Sequence, residues 1–299
     1  MAEPKTAELE AMAARLEASP AYRVLRALQR PTRLDALPDG ARVGLYLDLE
    51  TTGLDREQDV LMELGLVRFG YLADEILGVL DEVEAFEDPG RPIPPEVTRL
   101  TGIEDAMVAG QRIDDERVRE VADQAALVVA HNASFDRPFA ERRFPWLAEL
   151  PWACTMRDVA WREEGFEGGG LKALVMANGR FFEGHRAVED CHAGLFLLSQ
   201  RLPGSGAPVM RALRHSALRR EVRIWAVNSP FETKDALRER GYRWSPGARS
   251  WWCDVAEQRL AEEEAWLAEN VYGGDPPRLP RLEVDAYSRY SRRVPDTPP

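Results

Sequence analysis

The feature that most constrains the fold of this chain is a nearly unbroken apolar run at residues 43–49. Such a run is typical of a strand that is buried on both faces, inside a sheet covered by helices. Three further apolar runs have the length of strands, at residues 61–69, 76–86 and 125–130. Helical patterns lie near residues 114–123, from about residue 133, at residues 171–177 and at residues 188–202. The sequence therefore predicts an α/β fold with one central sheet.

Stretches rich in proline and glycine indicate how the chain is divided. The four predicted parts are an N-terminal helical extension (1–40), a main domain (41–202), a small α+β module (203–272) and a tail (273–299). Amphipathic helices are predicted over residues 5–30. The module has the predicted order β-α-β-β-α, and Ser229 and Pro230 predict a capped start for its first helix. The Pro- and Arg-rich tail is predicted to be extended or disordered.

The charge of the chain is unevenly distributed. The formal net charge is -12, which by itself argues against a nucleic-acid ligand, because phosphate binding normally requires a basic surplus. Residues 202–299, however, carry a net charge of +2, so the acidic surplus of -14 lies entirely in residues 1–201. The total charge therefore does not exclude nucleic acid as a partner of one part of the chain.

Composition excludes several other classes of protein. No stretch approaches the roughly 18 apolar residues that a membrane-spanning helix needs, so no membrane partner is expected. The first ten residues lack the basic start and apolar core of a signal peptide. Three widely spaced cysteines form neither a disulfide framework nor a zinc pattern, and their number favours a reducing compartment. We therefore expect a cytoplasmic protein.

Two carboxylates stand together where the first buried run ends. Asp48 and Glu50 are two residues apart on a predicted strand, so both side chains project from the same face. The carboxyl end of such a strand is an open edge where active sites of α/β proteins form. A polar strand end facing water would show the same pair, but Asp48 interrupts a buried run, and a buried carboxylate needs a partner.

Two later segments add further chemical groups. The segment His131-Asn-Ala-Ser-Phe-Asp136 lies where a strand becomes a helix, which places Asp136 in the first helical turn and directs it back toward the strand end. Helix capping is the alternative role for Asn132 and Asp136. The segment His185-Arg-Ala-Val-Glu-Asp190 places Asp190 at the start of the last helix of the main domain. His185 precedes this helix on a loop, where a catalytic base can move, although most histidines in such positions are ordinary surface residues.

Four carboxylates at one sheet edge would repel one another, and cations are the natural remedy. Ligands that offer only oxygen favour Mg²⁺ or Mn²⁺ over zinc. Two such ions about 3.5–4 Å apart can activate water and stabilise the leaving oxygen of a phosphodiester. His185 is a candidate for removing the proton of that water at neutral pH.

The three segments together resemble the exonuclease motifs of the DEDDh 3′–5′ exonucleases. The matching patterns are Asp48-x-Glu50, Asn132-x-x-Phe135-Asp136 and His185-x-x-x-x-Asp190. The resemblance is closest to the branch that contains the proofreading epsilon subunit of bacterial DNA polymerase III, and it runs from about residue 43 to residue 202. It implies a ribonuclease H-like mixed five-stranded sheet flanked by helices, with three antiparallel strands followed by parallel ones.

The resemblance also implies roles for individual residues. Asp48, Glu50 and Asp190 would hold the metal ion beside the attacking water, Asp48 would also reach the second ion, and Asp136 would support that ion through water. His185 would be the general base. Residues that would contact the substrate, by their backbone or by packing on the terminal bases, are Thr51, Thr52, Leu54, His131, Asn132 and Phe135.

The sequence therefore predicts a metal-dependent exonuclease that acts on single-stranded or frayed 3′ ends of DNA and releases nucleoside monophosphates. An enzyme of the same fold that trims RNA 3′ ends is an alternative, because the motifs do not report the preference for a 2′-hydroxyl. An inactive nucleic-acid-binding scaffold is a second alternative. A polymerase or a repair protein is left open as a partner.

The module at 203–272 has a different composition. Residues 211–250 contain ten basic and four acidic side chains, and five of the eight tryptophans lie beyond residue 202. Basic side chains interleaved with aromatic ones suit a nucleic-acid strand, although a small domain also needs aromatic residues for its core. The pattern Gly241-Tyr-Arg-Trp244…Trp251-Trp252 resembles HARP-like modules of some helicases and nucleases, and docking to a protein is the alternative role.

Overall fold

The computed structural model describes residues 6–295 and 297–299. Residues 1–5, which belong to the predicted extension and to the segment searched for signal-peptide features, lie outside the described residues, as does residue 296 of the predicted tail. The helices are α1 (Thr6–Glu17), α2 (Pro95–Thr101), α3 (Asp105–Val108), α4 (Asp115–Val121), α5 (Ala133–Arg143), α6 (Leu171–Ala177), α7 (Ala187–Leu198), α8 (Val209–Ala217), α9 (Lys234–Arg240) and α10 (Leu260–Asn270). The strands are β1 (Arg26–Ala27), β2 (Arg42–Thr51), β3 (Leu61–Leu72), β4 (Glu75–Phe86), β5 (Ala125–Ala130), β6 (Trp152–Cys154), β7 (Arg180–Phe181), β8 (Glu221–Ala226), β9 (Arg243–Ser245), β10 (Ser250–Ala256) and β11 (Arg281–Val284).

The main sheet has five strands in the order β4-β3-β2-β5-β6. Strands β2, β3 and β4 form an antiparallel meander, whereas β5 and β6 run parallel to β2. Asp48 of β2 lies opposite Gly65 of β3, and Glu50 lies opposite Glu63. The α/β fold and the mixed five-stranded sheet are therefore confirmed, including the change from antiparallel to parallel pairing.

Strand β2 is buried on both faces, as its apolar run predicts. Leu47 and its neighbours on the same face pack in one core with Phe139 of α5. Tyr46 faces the opposite side and packs in a second core with Leu195 of α7. Because helices cover both faces, apolar residues occupy successive positions along β2 rather than every second one.

The fifth strand, β6, has no counterpart among the apolar runs that predict strands. It has only three residues, and all three are buried against the parallel neighbour β5. A segment this short contains no readable alternation, so its strand structure depends on pairing with β5.

The helices predicted over residues 5–30 are correct only for the first half of that range. Helix α1 ends at Glu17, and β1 follows in extended conformation, parallel to β7. The backbone N–H groups of Arg26 and Leu28 donate to the carbonyl oxygens of Gly179 and Phe181 at 3.1 and 2.8 Å. Pairing with β7 and burial of Leu28 against the core override the helical spacing of the apolar residues.

The C-terminal part contains a separate antiparallel sheet in the order β11-β8-β10-β9, with α9 and α10. A 3-10 helix at Phe231–Thr233 precedes α9, and Pro230 occupies its N-cap position without a side-chain cap. The expected capped start at Ser229 and Pro230 is therefore wrong. Pro230 has no side-chain acceptor for the backbone N–H groups of this turn, and Oγ1 of Thr233 donates instead to the carbonyl oxygen of Pro230 at 2.7 Å.

The predicted tail is ordered over residues 281–295. Strand β11 pairs with β8, whose edge would otherwise leave backbone groups without partners. The backbone N–H of Trp152 donates to the carbonyl oxygen of Ala286 at 2.8 Å, which fastens the tail to the main domain. The fully buried guanidinium of Arg137 also donates to carbonyl oxygens of the tail, including that of Arg289 at 2.7 Å. Disorder, one of the two states that composition predicts here, is therefore wrong for this stretch.

Helix α8 lies within the range predicted for the module, yet it packs against the main domain. Val209, Met210 and Leu213 belong to the core on the α7 side of the main sheet. The division at residue 202 stays a prediction, and these contacts favour a boundary nearer the start of β8. Within the described part of the chain, no helix has the length and apolar character needed to cross a membrane.

Candidate active site

The carboxyl end of β2 brings three acidic side chains together. Asp48 and Glu50 project from the same side of the strand, and Asp190 reaches them from the first turn of α7. One carboxylate oxygen of each residue lies within 4.8 Å of the others. This is the arrangement expected from the strand alternation and from the position of Asp190 in the sequence.

A glycine allows α7 to come this close. Gly65 lies opposite Asp48 on the neighbouring strand, and the backbone of Ala187 crosses it closely. A Cβ atom at Gly65 would lie 2.3 Å from the carbonyl carbon of Ala187, which no real contact permits. The first turn of α7 can therefore lie directly on β3, and this contact sets the position of Asp190.

Helix α5 supplies the fourth carboxylate. Asp136 lies in its first turn and is almost completely buried. Asn132 precedes the helix in the left-handed conformation, with φ of 87°, which asparagine tolerates better than most residues. Its side chain does not cap the helix, so capping does not explain the amide at this position.

Burial raises the pKa values of all four carboxylates. Desolvation, followed by the charges of Asp136 and Asp190, raises the pKa of Asp48 well above its ordinary range. Desolvation and the charge of Asp190 raise the pKa of Glu50 to about 8. Desolvation also raises the pKa of Asp136, and it raises that of Asp190 to about 6. Glu50 therefore retains a proton at neutral pH unless a cation replaces it, and the oxygen-only donor set fits divalent ions such as Mg²⁺ or Mn²⁺.

His185 faces the same pocket from the loop before α7. Its backbone is in the left-handed region, with φ of 71°, a conformation that non-glycine residues rarely adopt. Its backbone N–H donates to Oδ2 of Asp190 at 2.8 Å. The side chain is exposed, so the loop is fixed at the backbone while the imidazole stays free to meet a substrate.

Most of the predicted site residues share one pocket of about 180 Å³. Its lining contains Asp48, Glu50, His131, Asn132, Phe135, Asp136, His185 and Asp190, together with Leu49 and Leu171. Eight of these ten residues are ones that the sequence predicts for the site, and the fold brings them together from β2, α5, α7 and their adjoining loops.

Three predicted substrate-binding residues do not line this pocket. Thr51 and Thr52 are buried at the end of β2, and Oγ1 of Thr52 donates to Oδ1 of Asp59 at 3.0 Å. Arg91 also donates to Oγ1 of Thr52, at 2.6 Å. Leu54, on the loop that follows, is 81% exposed. The hydroxyl of Thr52 therefore has hydrogen-bond partners within the protein, whereas the side chain of Leu54 projects into solvent.

His131 has an unusual environment. Its Nδ1 lies 2.8 Å from Oγ1 of Thr155, whereas its Nε2 is buried and has no hydrogen-bond partner among the described residues. Desolvation lowers the pKa of His131 to about 4. The ring is therefore neutral at neutral pH.

An ion pair that the sequence analysis missed supports the site. Glu63 lies opposite Glu50, is fully buried, and accepts a hydrogen bond from Nε of Arg186 at 2.9 Å. Glu63 also accepts from the backbone N–H of Ala187 at 3.3 Å. The ion pair between Glu63 and Arg186 connects the loop that contains His185 to β3. Glu63 interrupts an apolar run as Asp48 does, and this was the signal that could have revealed it.

A family model described as RNase T, exonuclease, matches residues 45–198. Curated relatives include DNA polymerase III PolC-type from Listeria monocytogenes serovar 1/2a, which is 32% identical over 157 residues, or 50% of this chain and 10% of that protein. The same protein from Bacillus subtilis is 30% identical over 168 residues, or 53% of this chain and 11% of that protein. The chain thus spans about a tenth of the length of these relatives.

Two solved structures are also similar. Exonuclease X in complex with 5′-overhanging duplex DNA has 25% identity and a TM-score of 0.39, covering 56% of this chain and 99% of that one. E. coli Exonuclease I in complex with a dA16 oligonucleotide has 14% identity and a TM-score of 0.48, covering 75% of this chain and 67% of that one.

Proposed function

Since this chain belongs to the exonuclease family, we propose that it is a metal-dependent 3′–5′ exonuclease that hydrolyses phosphodiester bonds at DNA 3′ ends and releases nucleoside monophosphates. The observation that carries the proposal is the meeting of Asp48, Glu50 and Asp190, with carboxylate oxygens within 4.8 Å of one another. An acidic cluster of this kind, partly desolvated and open to a pocket, suits cations that bind a phosphodiester.

In this proposal the carboxylates hold two divalent cations, Mg²⁺ or Mn²⁺. Asp48, Glu50 and Asp190 would hold one ion, and Asp48 with Asp136 would hold the other. Ions bound there would lower the pKa of water and neutralise charge on the leaving oxygen. The raised pKa of Glu50, about 8, supports this assignment, because a cation would replace the proton that Glu50 retains at neutral pH.

His185 would act as the general base. Its imidazole is exposed and lines the pocket, while the hydrogen bond from its backbone to Asp190 keeps it beside the carboxylates. Imidazole is the side chain best suited to accept a proton from water at neutral pH. The proton accepted from the attacking water would then leave through solvent.

The remaining pocket residues would hold the last nucleotide of the strand. The unpartnered Nε2 of His131 and the amide of Asn132 offer polar contacts, and the ring of Phe135 offers an apolar surface for a base. The backbone near Thr51 and Thr52 would contact the 3′ end, and the exposed Leu54 would pack on a terminal base.

DNA is proposed as the substrate because the curated relatives are DNA polymerases. Their similarity covers about a tenth of their length, so their polymerase activity does not transfer to this chain. A polymerase or repair-protein partner and a cytoplasmic location stay predictions from the sequence.

The proposal is tested with single strands of DNA and RNA of the same sequence, labelled at the 5′ end, in Mg²⁺, Mn²⁺ or EDTA. We expect a ladder of 5′-labelled DNA products that shortens one nucleotide at a time, with monophosphates released, and no products in EDTA. Immediate release of labelled mononucleotide would show the opposite polarity. Faster shortening of RNA would favour the RNA-trimming alternative, and no shortening of either strand would overturn the proposal.

The role of His185 needs a second comparison. We expect His185→Gln to lower kcat by at least about a hundredfold, and to remove its dependence on pH near neutrality. His215→Gln is the matched control, because His215 is an exposed histidine on α8 outside the pocket. An unchanged pH profile in His185→Gln would exclude this histidine as the base.

A further inference from the structure

We call the pocket that contains Asp48, Glu50, Asp136 and Asp190 the carboxylate pocket. A second and larger cavity adjoins it. It has a volume of about 700 Å³ and is lined by residues of the main domain, of the C-terminal sheet and of the tail. Among the described residues, seven arginines and three acidic residues line it. We call it the arginine cleft and define it by Arg56, Arg157, Arg219, Arg243 and Trp252.

The acidic residues of the arginine cleft already have basic partners. Arg223 pairs with Asp254, with Nε of the arginine 2.7 Å from Oδ1 of the aspartate. Arg289 pairs with Glu221 at 2.9 Å and lies 4.0 Å from Asp158. Two arginines thus pair with the three acidic side chains, and the other five arginines of the cleft leave it with a positive surplus.

Four of those arginines form no ion pair with a carboxylate among residues 6–295 and 297–299: Arg56, Arg157, Arg219 and Arg243. Partial desolvation, followed by the charges of Arg292 and Arg157, lowers the pKa of Arg56. Partial desolvation, followed by the charge of Arg157, also lowers the pKa of Arg243. Arg157 therefore stands between two like charges from different parts of the chain, and an anion in the cleft would relieve their repulsion.

Two further features of the cleft suit a nucleic-acid strand. Nε of Arg219 is buried and has no hydrogen-bond partner within the described part of the chain, so it is a donor without an acceptor. The guanidinium carbon of Arg223 lies 3.8 Å from the centroid of the Trp252 ring, and that of Arg243 lies 5.3 Å from it. Aromatic rings next to guanidinium groups bind single strands without regard to sequence.

The two cavities meet at the start of α5. Asn132 and Phe135 line the carboxylate pocket, whereas Ser134 between them lines the arginine cleft. Oγ of Ser134 donates to Oδ1 of Asn132 at 2.9 Å, so one hydrogen-bonded turn has a side chain in each cavity. A strand whose 3′ end lies at the carboxylates can therefore continue into the cleft past a single turn of helix.

We propose that the arginine cleft binds the phosphodiester backbone of the same single strand, several nucleotides before its 3′ end. This inference rests on the proposed function for the identity of the strand. The cleft recognises phosphates through Arg56, Arg157 and Arg243, and it holds the strand while the carboxylate pocket acts on its terminus. The main domain contributes Arg56 and Arg157 to this positive surface, and the C-terminal sheet contributes Arg243.

The test measures binding in EDTA, so that it does not depend on catalysis. A fluorescently labelled single strand of about twenty nucleotides is titrated with the full chain and with the double variant Arg157→Gln/Arg243→Gln. We expect the Kd to rise at least about tenfold, and the slope of log Kd against log salt to fall by about 1.4, as for the loss of two phosphate contacts. The matched control is Arg15→Gln/Arg259→Gln, which removes the same charge at exposed positions outside the cleft.

Each outcome decides the proposal. Equal affinity of the double variant and the wild-type chain would overturn it, and so would equal losses in the double variant and the control. A second double variant, Arg157→Lys/Arg243→Lys, keeps the charge and should retain most of the binding; a loss as large as with glutamine, at an unchanged Tm, would contradict phosphate binding. If the wild-type chain binds as expected but shortens no strand, the proposed function fails while this inference stands.

Discussion

The carboxylate pocket and the arginine cleft lie on either side of the start of α5 and carry opposite charge. They differ in how the charged side chains are brought together. In the carboxylate pocket, four acids come from three elements packed so closely that desolvation raises their pKa values. In the arginine cleft, guanidinium groups come from loops, from the C-terminal sheet and from the tail, and several are exposed. The pocket depends on tight backbone packing, whereas the cleft depends on how the C-terminal part docks on the main domain.

The separation of acidic and basic side chains into two cavities explains how the chain can bind a polyanion despite its net charge of -12. Charges that cations would neutralise are concentrated in one pocket, and the opposite charge lies next to it. Changes in the pocket should therefore affect chemistry and metal binding, and changes in the cleft should affect affinity and its dependence on salt. The predictions below test this separation.

The largest loss of activity is expected for Asp48, because the charges of the other three carboxylates all act on it. Asp48→Asn should lower kcat by at least about a thousandfold, equivalent to about 4 kcal/mol of transition-state stabilisation. Asp190→Asn should behave similarly, because both residues would hold the same cation. Measured on the 5′-labelled strand at saturating Mn²⁺, activity within tenfold of wild type in either variant would contradict the site assignment.

The matched control for this pair is Glu189→Gln. Glu189 precedes Asp190 on the same helical turn, but its carboxylate pairs with Arg30 rather than facing the pocket. We expect nearly unchanged activity, so a large loss in the control would indicate damage to α7 rather than loss of a ligand.

The next effect concerns the close contact between β3 and α7. Gly65→Ala should destabilise the protein by about 3 kcal/mol, because the added Cβ would overlap the backbone of Ala187. It should also lower activity, since α7 carries Asp190. Urea unfolding measures the first effect, and the control is Gly168→Ala, where a Cβ would meet nothing within 4 Å. Equal stability of the two variants would show that α7 does not need this contact.

The third effect is a dependence on pH. The folded, metal-free protein keeps a proton on Glu50 up to about pH 8, whereas the unfolded chain loses it near pH 4.5. The folded state therefore binds more protons in this window, and its stability falls as pH rises through it. Glu50→Gln should remove this penalty and stabilise the metal-free protein by roughly 4 kcal/mol at pH 8, and by less than about 1 kcal/mol at pH 5.

Thermal unfolding in EDTA at the two pH values measures the difference between Glu50→Gln and wild type. Adding Mn²⁺ should stabilise the wild type more at pH 8 than at pH 5 and should have less effect on the variant. A gain that is the same at both pH values would contradict the raised pKa of Glu50.

The smallest effect concerns the attachment of the tail. The hydroxyl of Tyr290 donates to Oδ1 of Asp158 at 2.9 Å, so Tyr290→Phe should cost about 1 kcal/mol of stability. Tyr287→Phe is the control, because Tyr287 is 52% exposed and its hydroxyl has no partner among the described residues. If the two variants unfold alike, this hydrogen bond does not fasten the tail to the main domain.

The carboxylate pocket could be predicted from the sequence because its residues break strong local patterns. Asp48 interrupts a buried strand, Asp136 stands in a first helical turn, and His185 and Asp190 flank the start of a helix. These signals are local, so one sequence is enough to reveal them. Glu63 carries the same signal, but its role becomes clear only once β3 lies beside β2.

The rest depends on contacts between distant parts of the chain. Strand β6 is three residues long and exists through its pairing with β5, and β11 exists through its pairing with β8. Arg157 and Arg243 are 86 positions apart in the sequence, so no local pattern could place them in one cleft. Composition predicted a basic, tryptophan-rich C-terminal part but gave no indication that its charge adjoins the carboxylates.

The most direct test of the central claim is a titration of the wild-type chain with Mn²⁺, read by calorimetry and by the paramagnetic resonance signal of the free ion. We expect two ions to bind per chain and to be displaced by excess Mg²⁺, with binding of both weakened in Asp48→Asn and unchanged in Glu189→Gln. Binding of the same number of ions with the same affinity by wild type and Asp48→Asn would contradict it.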